Sequence, residues 1–230
     1  MILGILGGMG PAATCDIFNK IIQYTPASTD QEHIHVIIDS NSQIPDRTAF
    51  ICHDGEDPRI EMIRSAIKLE MMGADYIIIP CNTAHYFYDD IVKYTKATVL
   101  HMIRETAIFL KKTKPEVRNY LLLATAGTYK ADIYSKVFRE FDLNIIKPDD
   151  ADIEVVMNWI YNVKSGNFNV TLQEFKNLVQ KYMPDGEIPI ILGCTELPLL
   201  ADKLGLRNEC IDPVEILVKR CIEIAKGLKE

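Results

Sequence analysis

The sequence has no excess of basic residues and no long apolar run. It carries 25 Lys and Arg against 32 Asp and Glu, a net charge of −7, whereas binding to phosphate backbones needs a basic surface. No apolar stretch approaches the ~20 residues that span a bilayer, and no basic leader precedes the opening strand-like run. We therefore expect a cytoplasmic protein that binds neither nucleic acid nor membrane.

The sequence also lacks any C-x-x-C pair, which weakens zinc-ribbon and thioredoxin-like interpretations. Its six cysteines are expected to be free thiols in a reducing cytosol. The 230 residues are 48% hydrophobic and 25% charged, a composition typical of an ordered chain with one large or two small domains. Four of the cysteines are interpreted as structural: Cys15, Cys52, Cys210 and Cys221.

Short apolar runs alternate with longer stretches of helical spacing, which predicts α/β architecture. The runs have the length and β-branched content of buried parallel strands. The predicted strands are 35–39, 76–80, 120–125 and 188–192, and the predicted helices are 59–72, 89–96, 103–112, 132–140 and 153–163.

A faint internal repeat indicates a duplicated unit. The opening "ILGGMGPAATCDIFNKI" resembles "LLATAGTYKADIYSKVF", and "IIIPCNTAH" resembles "IILGCTELP", so Cys81 corresponds to Cys194. The repeat predicts two pseudo-symmetric lobes, each a mostly parallel sheet flanked by helices, with the active site in the cleft between them. The expected lobes are 1–98 plus 207–230 and 99–206, with a last helix, 213–228, returning to cover the first lobe.

The glycine turn after the first strand has two interpretations. Gly8, Gly10 and Ala13 partly match a dinucleotide fingerprint, but such a turn also forms a nest of backbone N–H groups for a small carboxylate. The second interpretation is favoured here, with Met9 and Gly10 placing backbone donors near a bound amino acid.

The corresponding cysteines favour acid–base chemistry. Each ends a predicted strand and precedes a predicted helix start, where a thiol pKa is expected to fall. A thiolate and a thiol facing each other across a cleft could remove and return a proton on opposite faces of one carbon. The alternative is a pair of core cysteines that end equivalent strands by coincidence.

Six motifs then resemble, in order and spacing, the aspartate/glutamate racemase family, and its aspartate racemase branch in particular: "LGGMGP", "DQEH", "IPDRTA", "GEDPR", "PCNTAH" and "LGCTEL". The resemblance covers nearly the whole chain. It implies a two-lobed, cofactor-independent racemase, commonly dimeric, with Cys81 and Cys194 as catalytic bases. By the same resemblance Cys194 acts on the L-enantiomer and Cys81 on the D-enantiomer.

Two cations are candidates for binding a dicarboxylate substrate. Arg47 is expected in a loop, where its guanidinium could hold a carboxylate through two hydrogen bonds; the alternative is a solvated arginine paired with Asp46. Lys164 is expected at a helix end, where a lysine commonly caps carbonyl groups. The resemblance implies that both side chains bind the substrate.

Short polar residues at strand ends complete the predicted site. Glu196 could assist proton exchange, orient the substrate ammonium, or simply favour a helix dipole. His85 lies four residues after Cys81, but two ligands are too few for a metal site. The remaining candidates, which bind substrate or cap helices, are Asn82, Thr83, Thr125 and Thr195.

The sequence thus favours a racemase of aspartate, and possibly glutamate, that needs neither cofactor nor metal and forms a homodimer. A non-catalytic module that binds amino acids on the same scaffold is the second hypothesis, and a dinucleotide-dependent reductase is the third.

Overall fold

The structure is a computed structural model that describes residues 1–183 and 186–227. Within these ranges the chain forms two four-stranded sheets, and all strand pairings in both are parallel. The first sheet has the order β2-β1-β3-β4 and the second β6-β5-β7-β8. The strands are β1 (Ile2–Gly7), β2 (His35–Ser40), β3 (Tyr76–Ile78), β4 (Thr98–Val99), β5 (Asn119–Ala124), β6 (Asn144–Ile146), β7 (Ile190–Gly193) and β8 (Cys210–Ile211).

The two sheets repeat one topology, which confirms the predicted α/β fold of two similar lobes. β1 and β5 are the corresponding inner strands, and each is buried beyond its first residue, as the continuous apolar runs predict. The four runs predicted from hydrophobicity correspond to β2, β3, β5 and β7. The edge strands β4, β6 and β8 are not predicted, because each has only two or three residues and so shows no periodicity in the sequence.

Helices flank both sheets. They are α1 (Pro11–Tyr24), α2 (Arg47–Cys52), α3 (Arg59–Met71), α4 (Tyr88–Val92), α5 (Met102–Thr113), α6 (Ala126–Lys130), α7 (Ile133–Arg139), α8 (Asp150–Lys164), α9 (Leu172–Gln180), α10 (Leu197–Leu204) and α11 (Pro213–Ala225), with short 3-10 helices at Asp30–Glu32 and Thr83–Phe87. Four predicted helices correspond to α3, α5, α7 and α8. The prediction of 89–96 is wrong in its second half, because α4 ends at Val92 before the chain enters β4.

The last helix packs on the first lobe. Val214, Leu217 and Cys221 of α11 share a buried cluster with Leu3 of β1 and Ile17 of α1, and the three recur at the spacing of one helix face. α11 is described as far as Ala225, so the predicted end at Leu228 lies outside the described residues. β8 pairs with β7 in the second sheet, and the lobe bounds 1–98 plus 207–230 and 99–206 stay a prediction.

The lobes meet closely where α6 approaches α2. A Cβ atom on Gly127 would lie 2.9 Å from Thr48 Oγ1 and 3.0 Å from Thr48 Cα, and real Cβ contacts are longer than this. Glycine is therefore the residue that allows the two backbones to approach, and this contact lies beside the carboxyl ends of the central strands.

Candidate active site

Cys81 and Cys194 lie just beyond the carboxyl ends of β3 and β7 and line one pocket between the lobes. Each cysteine is 7% exposed. The cavity volume is about 10 Å³, which is the room that a single water molecule needs. Eight other predicted residues and two unpredicted ones also line it: Met9, Arg47, Asn82, Thr83, Thr125, Lys164, Thr195 and Glu196, with Asp46 and Thr48.

Gly10, predicted as a backbone donor, lies at the margin of this pocket. A Cβ atom there would stand 3.6 Å from Glu196 Oε1. Its carbonyl accepts hydrogen bonds from the Thr14 amide and hydroxyl in the first turn of α1. The turn has a steric reason for glycine as well, since Gly8 has φ +89° and its missing Cβ would meet the Asn41 backbone.

The Cys194 thiol donates a hydrogen bond to Glu196 Oε2 at 3.0 Å. Burial, followed by the nearby Glu196 carboxylate, raises the pKa of Cys194 well above its usual value, against an opposing effect of Lys164. The expected fall in the pKa of this thiol is therefore wrong. The start of α10 is too weak a dipole to outweigh removal from water and an adjacent acidic group.

Cys81 lies in different surroundings. Its carbonyl accepts a hydrogen bond from His85 Nδ1 at 2.9 Å, while His85 Nε2 accepts one from the Met102 amide at 3.1 Å. Burial, then the neighbouring His101, lowers the pKa of His85 to about 3, so its imidazole is neutral. A helix begins directly after Cys81, as predicted, with Asn82 as its N-cap, and it is a 3-10 helix over Thr83–Phe87.

Both imidazole nitrogens of His85 are thus engaged with the backbone. Among residues 1–183 and 186–227, no group of three or more His, Cys, Asp and Glu side chains is placed to hold a metal ion. His85 instead fixes the loop that carries Cys81 against the start of α5.

Arg47 is the first residue of α2 rather than a loop residue, because Asp46 caps this helix by accepting the Ala49 amide at 2.7 Å. Its guanidinium donates to the carbonyls of Ile44 and Pro45, at 3.2 and 2.9 Å, and to that of Met9 at 3.4 Å. Arg47 is buried, and its Nε has no hydrogen-bond partner among the described residues. An unpaired buried donor is costly, so this face of the guanidinium suits an anionic ligand.

Lys164 ends α8 as predicted. Its side chain is solvent-exposed overall but lines the pocket, with Nζ 5.3 Å from the centre of the Tyr161 ring. Burial of the ammonium by itself would lower the pKa of Lys164, but Glu196 and the two cysteines outweigh that effect and raise it. Lys164 therefore adds a second positive charge to a pocket that Arg47 also lines.

Short polar side chains from both lobes meet at the pocket, which Thr83, Thr125 and Thr195 line. The hydroxyl oxygens of Thr83, Thr125 and Thr128 form a ring with separations of 2.9, 3.0 and 3.1 Å. Thr125 also caps α6, as one interpretation expected. Thr195 donates to Glu196 Oε2 at 3.3 Å. Sequence reasoning missed Thr128, although its spacing from the cap residue Thr125 is a usable signal.

Comparison with known proteins agrees with this fold. Residues 6–221 match the family model described as Asp/Glu/Hydantoin racemase. A broad specificity amino-acid racemase, RacX, from Bacillus subtilis (strain 168) is 29% identical over 228 residues, 96% of either chain.

Two solved structures are also similar. The aspartate racemase of Picrophilus torridus is 31% identical, with a TM-score of 0.85 over 98% of this chain and 94% of that one. An aspartate racemase homologue from Pyrococcus horikoshii OT3 is 30% identical, with a TM-score of 0.77 over 97% of this chain and 98% of that one.

The fold and the matched residues define an amino-acid racemase. The chain belongs to the Asp/Glu/Hydantoin racemase family. Among its described residues, no helix has both the length and the apolar character needed to cross a membrane.

Proposed function

We propose that this protein is a cofactor-independent racemase that interconverts L- and D-aspartate, with glutamate as a second substrate. The observation that carries the proposal is that Cys81 and Cys194, which end corresponding strands of two similar lobes, line one pocket. Two acid–base groups on opposite sides of a ligand are what a racemase needs when no cofactor takes part.

The reaction requires only a proton balance between the two sulfurs. One sulfur, as a thiolate, takes the α-proton and breaks the Cα–H bond, leaving an electron pair on Cα that the carboxylate helps to delocalise. The other, as a thiol, donates its proton to the opposite face of Cα. After the reaction the first sulfur is a thiol and the second is a thiolate, which is the protonation state that the reverse reaction of the opposite enantiomer needs.

The charges around the pocket favour a dicarboxylate. Arg47 and Lys164 supply positive charge from the two lobes, and Arg47 Nε and Asn82 Nδ2 are buried donors without partners among the described residues. Glu196 offers an acceptor for the substrate ammonium or for the Cys194 proton. The names of the similar proteins support aspartate or a broader range of amino acids. We further propose that the enzyme acts as a homodimer in the cytoplasm.

The test is a chiral assay of the purified protein in heavy water without added pyridoxal phosphate, using both enantiomers of aspartate, glutamate and alanine. We expect each aspartate enantiomer to yield the other with deuterium at Cα. Binding without interconversion would instead support the amino-acid-binding module, and dependence on pyridoxal phosphate would overturn the two-thiol mechanism. Tightly bound nicotinamide in the purified protein would support the reductase.

A further inference from the structure

A buried tyrosine holds one of the pocket residues from the other lobe. Tyr134, in α7, is 1% exposed, and its hydroxyl donates a hydrogen bond to Asn82 Oδ1 at 2.6 Å. Asn82 is 2% exposed and lines the pocket beside Cys81. The contact therefore joins the core of the second lobe to a side chain of the first-lobe half of the site.

This hydrogen bond decides which way the Asn82 amide faces. A tyrosine hydroxyl has one proton to donate, and the amide oxygen is its acceptor here. If the amide flipped, its nitrogen would face the hydroxyl and the buried tyrosine proton would lose its acceptor. Burial raises the pKa of Tyr134 well above its usual value, so the hydroxyl keeps its proton throughout the physiological range.

The other end of the amide is left without a partner. Asn82 Nδ2 is buried and has no hydrogen-bond partner in the described part of the chain. With Oδ1 occupied by Tyr134, the two N–H bonds of Nδ2 can only be satisfied by an acceptor that enters from elsewhere. The pocket that Asn82 lines is the open space beside it.

We propose that Tyr134 is a positioning residue that fixes the Asn82 amide so that its N–H bonds face a carboxylate oxygen of the bound amino acid. This inference rests on the proposed function of the pocket and names a residue outside its lining. Tyr134 touches neither sulfur in this role and acts on substrate only through Asn82.

The internal repeat shows that this hydroxyl belongs to one lobe only. The stretch "DIFNK" at 16–20 resembles "DIYSK" at 132–136, so Phe18 corresponds to Tyr134. The phenyl ring is thus common to both copies and serves packing, whereas the hydroxyl is present in the second copy alone and meets Asn82.

The chain offers a matched control. Tyr120 is also fully buried, and both tyrosines pack against Phe138, with ring centres 6.1 Å apart for Tyr120 and 5.5 Å apart for Tyr134. The Tyr120 hydroxyl has no hydrogen-bond partner among the described residues. Tyr120→Phe therefore removes a buried tyrosine oxygen from the same core without removing a hydrogen bond.

The experiment measures kcat and KM for both aspartate enantiomers in wild type, Tyr134→Phe, Tyr120→Phe, Asn82→Ala and the double variant of Tyr134 and Asn82. We expect Tyr134→Phe to lower kcat/KM about tenfold. If Asn82 binds the side-chain carboxylate, whose charge stays constant, the loss should appear in KM, whereas kcat should fall as well if it binds the α-carboxylate, which gains charge from Cα. Tyr120→Phe should match wild type. In the Asn82→Ala background, Tyr134→Phe should add nothing, because the residue through which it acts is absent.

Asn82→Asp gives a second test, which keeps an acceptor for Tyr134 but presents a carboxylate oxygen to the substrate. It should bind aspartate more weakly than Tyr134→Phe does. Equal kcat/KM values for Tyr134→Phe and Tyr120→Phe, or independent effects of Tyr134 and Asn82, would overturn the positioning role while leaving the racemase intact. A wild-type protein that neither racemises nor binds acidic amino acids would overturn the proposed function and this role together.

Discussion

The two lobes place their cysteines at corresponding strand ends but surround them differently. The Cys194 thiol donates a hydrogen bond to Glu196, and burial together with that carboxylate raises the pKa of Cys194. Cys81 has no acidic residue at the position corresponding to Glu196, since Thr83 follows Asn82 there, and its loop is held through the neutral His85. The repeated backbone therefore supplies two equivalent positions, and the side chains around them make the positions chemically distinct.

Under the proposed function, this difference suits the asymmetry of the substrate. Two pseudo-symmetric lobes can offer matching bases, but an amino acid held by its carboxylates is not symmetric, so the lobes must contact it differently. The enantiomers have equal free energy in water, which forces kcat/KM to be equal in the two directions. Unequal thiols can therefore change kcat and KM separately and set the proton distribution in the free enzyme, but cannot favour one direction in kcat/KM.

Removing either sulfur should have the largest effect on activity and tests whether both lobes are needed. Cys81→Ser and Cys194→Ser should each lower racemisation by roughly two to four orders of magnitude, because serine is a far poorer base than a thiolate. Each variant should still exchange the α-proton of one enantiomer with heavy water, and that enantiomer should differ between the variants. Nuclear magnetic resonance of Cα deuteration measures this. A variant that racemises like wild type would contradict the two-base mechanism.

The two cations provide the next contrast, since backbone carbonyls fix Arg47 while Lys164 is solvent-exposed. Loss of a charge-assisted contact costs ~1.5–3 kcal/mol, so Arg47→Leu should lower kcat/KM for aspartate by about one to two orders of magnitude. Arg47→Lys should not restore activity, because an ammonium lacks the planar fork. Lys164→Met should lower kcat/KM for aspartate by a smaller factor. Steady-state kinetics measures both effects.

Alanine, which has an α-carboxylate but no side-chain carboxylate, shows which of the two carboxylates Arg47 binds. If Arg47 binds the side-chain carboxylate, Arg47→Leu should leave the slow turnover of alanine unchanged, whereas both substrates fall together if it binds the α-carboxylate. Unaltered aspartate kinetics in both Arg47→Leu and Lys164→Met would contradict the dicarboxylate proposal.

Glu196→Gln should make Cys194 easier to ionise. Removing the carboxylate charge removes one cause of the raised pKa of Cys194, and each unit of pKa is worth a factor of about ten in thiolate below the pKa. We expect alkylation of Cys194 to rise with pH in wild type and to be about tenfold faster in the variant at neutral pH. Peptide mass spectrometry measures this, with exposed Cys15 as internal reference. Equal labelling of Cys194 in both proteins would contradict the role of the Glu196 charge.

The smallest effect concerns the His85 support of the Cys81 loop. Burial lowers the pKa of His85 from 6.5 to about 3. Below pH 6.5, His85 therefore binds a proton in the unfolded chain but stays neutral in the folded protein. Stability is therefore fully present above pH 6.5 and falls as the solution is acidified. His85→Gln should flatten this fall by up to ~1.4 kcal/mol per pH unit. Denaturant unfolding across the acidic range measures it, and identical slopes would contradict the account.

Much of this arrangement could be predicted from the sequence, because the repeat and the apolar runs carry the information. Two matching copies predict two sheets of one topology, and a cysteine that directly follows a buried strand must lie at the edge where parallel strands end. The edge strands β4, β6 and β8 are too short to show a pattern. Tyr134 has the helical spacing of any core residue, so its contact with Asn82 depends on how the lobes are docked.

The protonation of Cys194 shows most clearly what could not be predicted from the sequence. The sequence places this cysteine before a helix, and a helix start lowers a thiol pKa. Burial and the folded position of Glu196 act in the other direction and dominate. Both are properties of the three-dimensional surroundings, which local sequence does not contain.

The ring formed by Thr83, Thr125 and Thr128 has a consequence for a pocket that receives mirror-image ligands. Three hydroxyls at 2.9–3.1 Å hold three protons and three acceptors, and either oxygen of each pair can donate. Donation can therefore circulate clockwise or anticlockwise around the ring with the heavy atoms in place. In either direction each hydroxyl uses its one proton inside the ring, and Thr125 Oγ1 also accepts a hydrogen bond from the Thr128 amide. Of the two ring members that line the pocket, Thr83 and Thr125, Thr83 therefore turns a lone pair and no proton toward a ligand, and it does so identically for ligands of either hand.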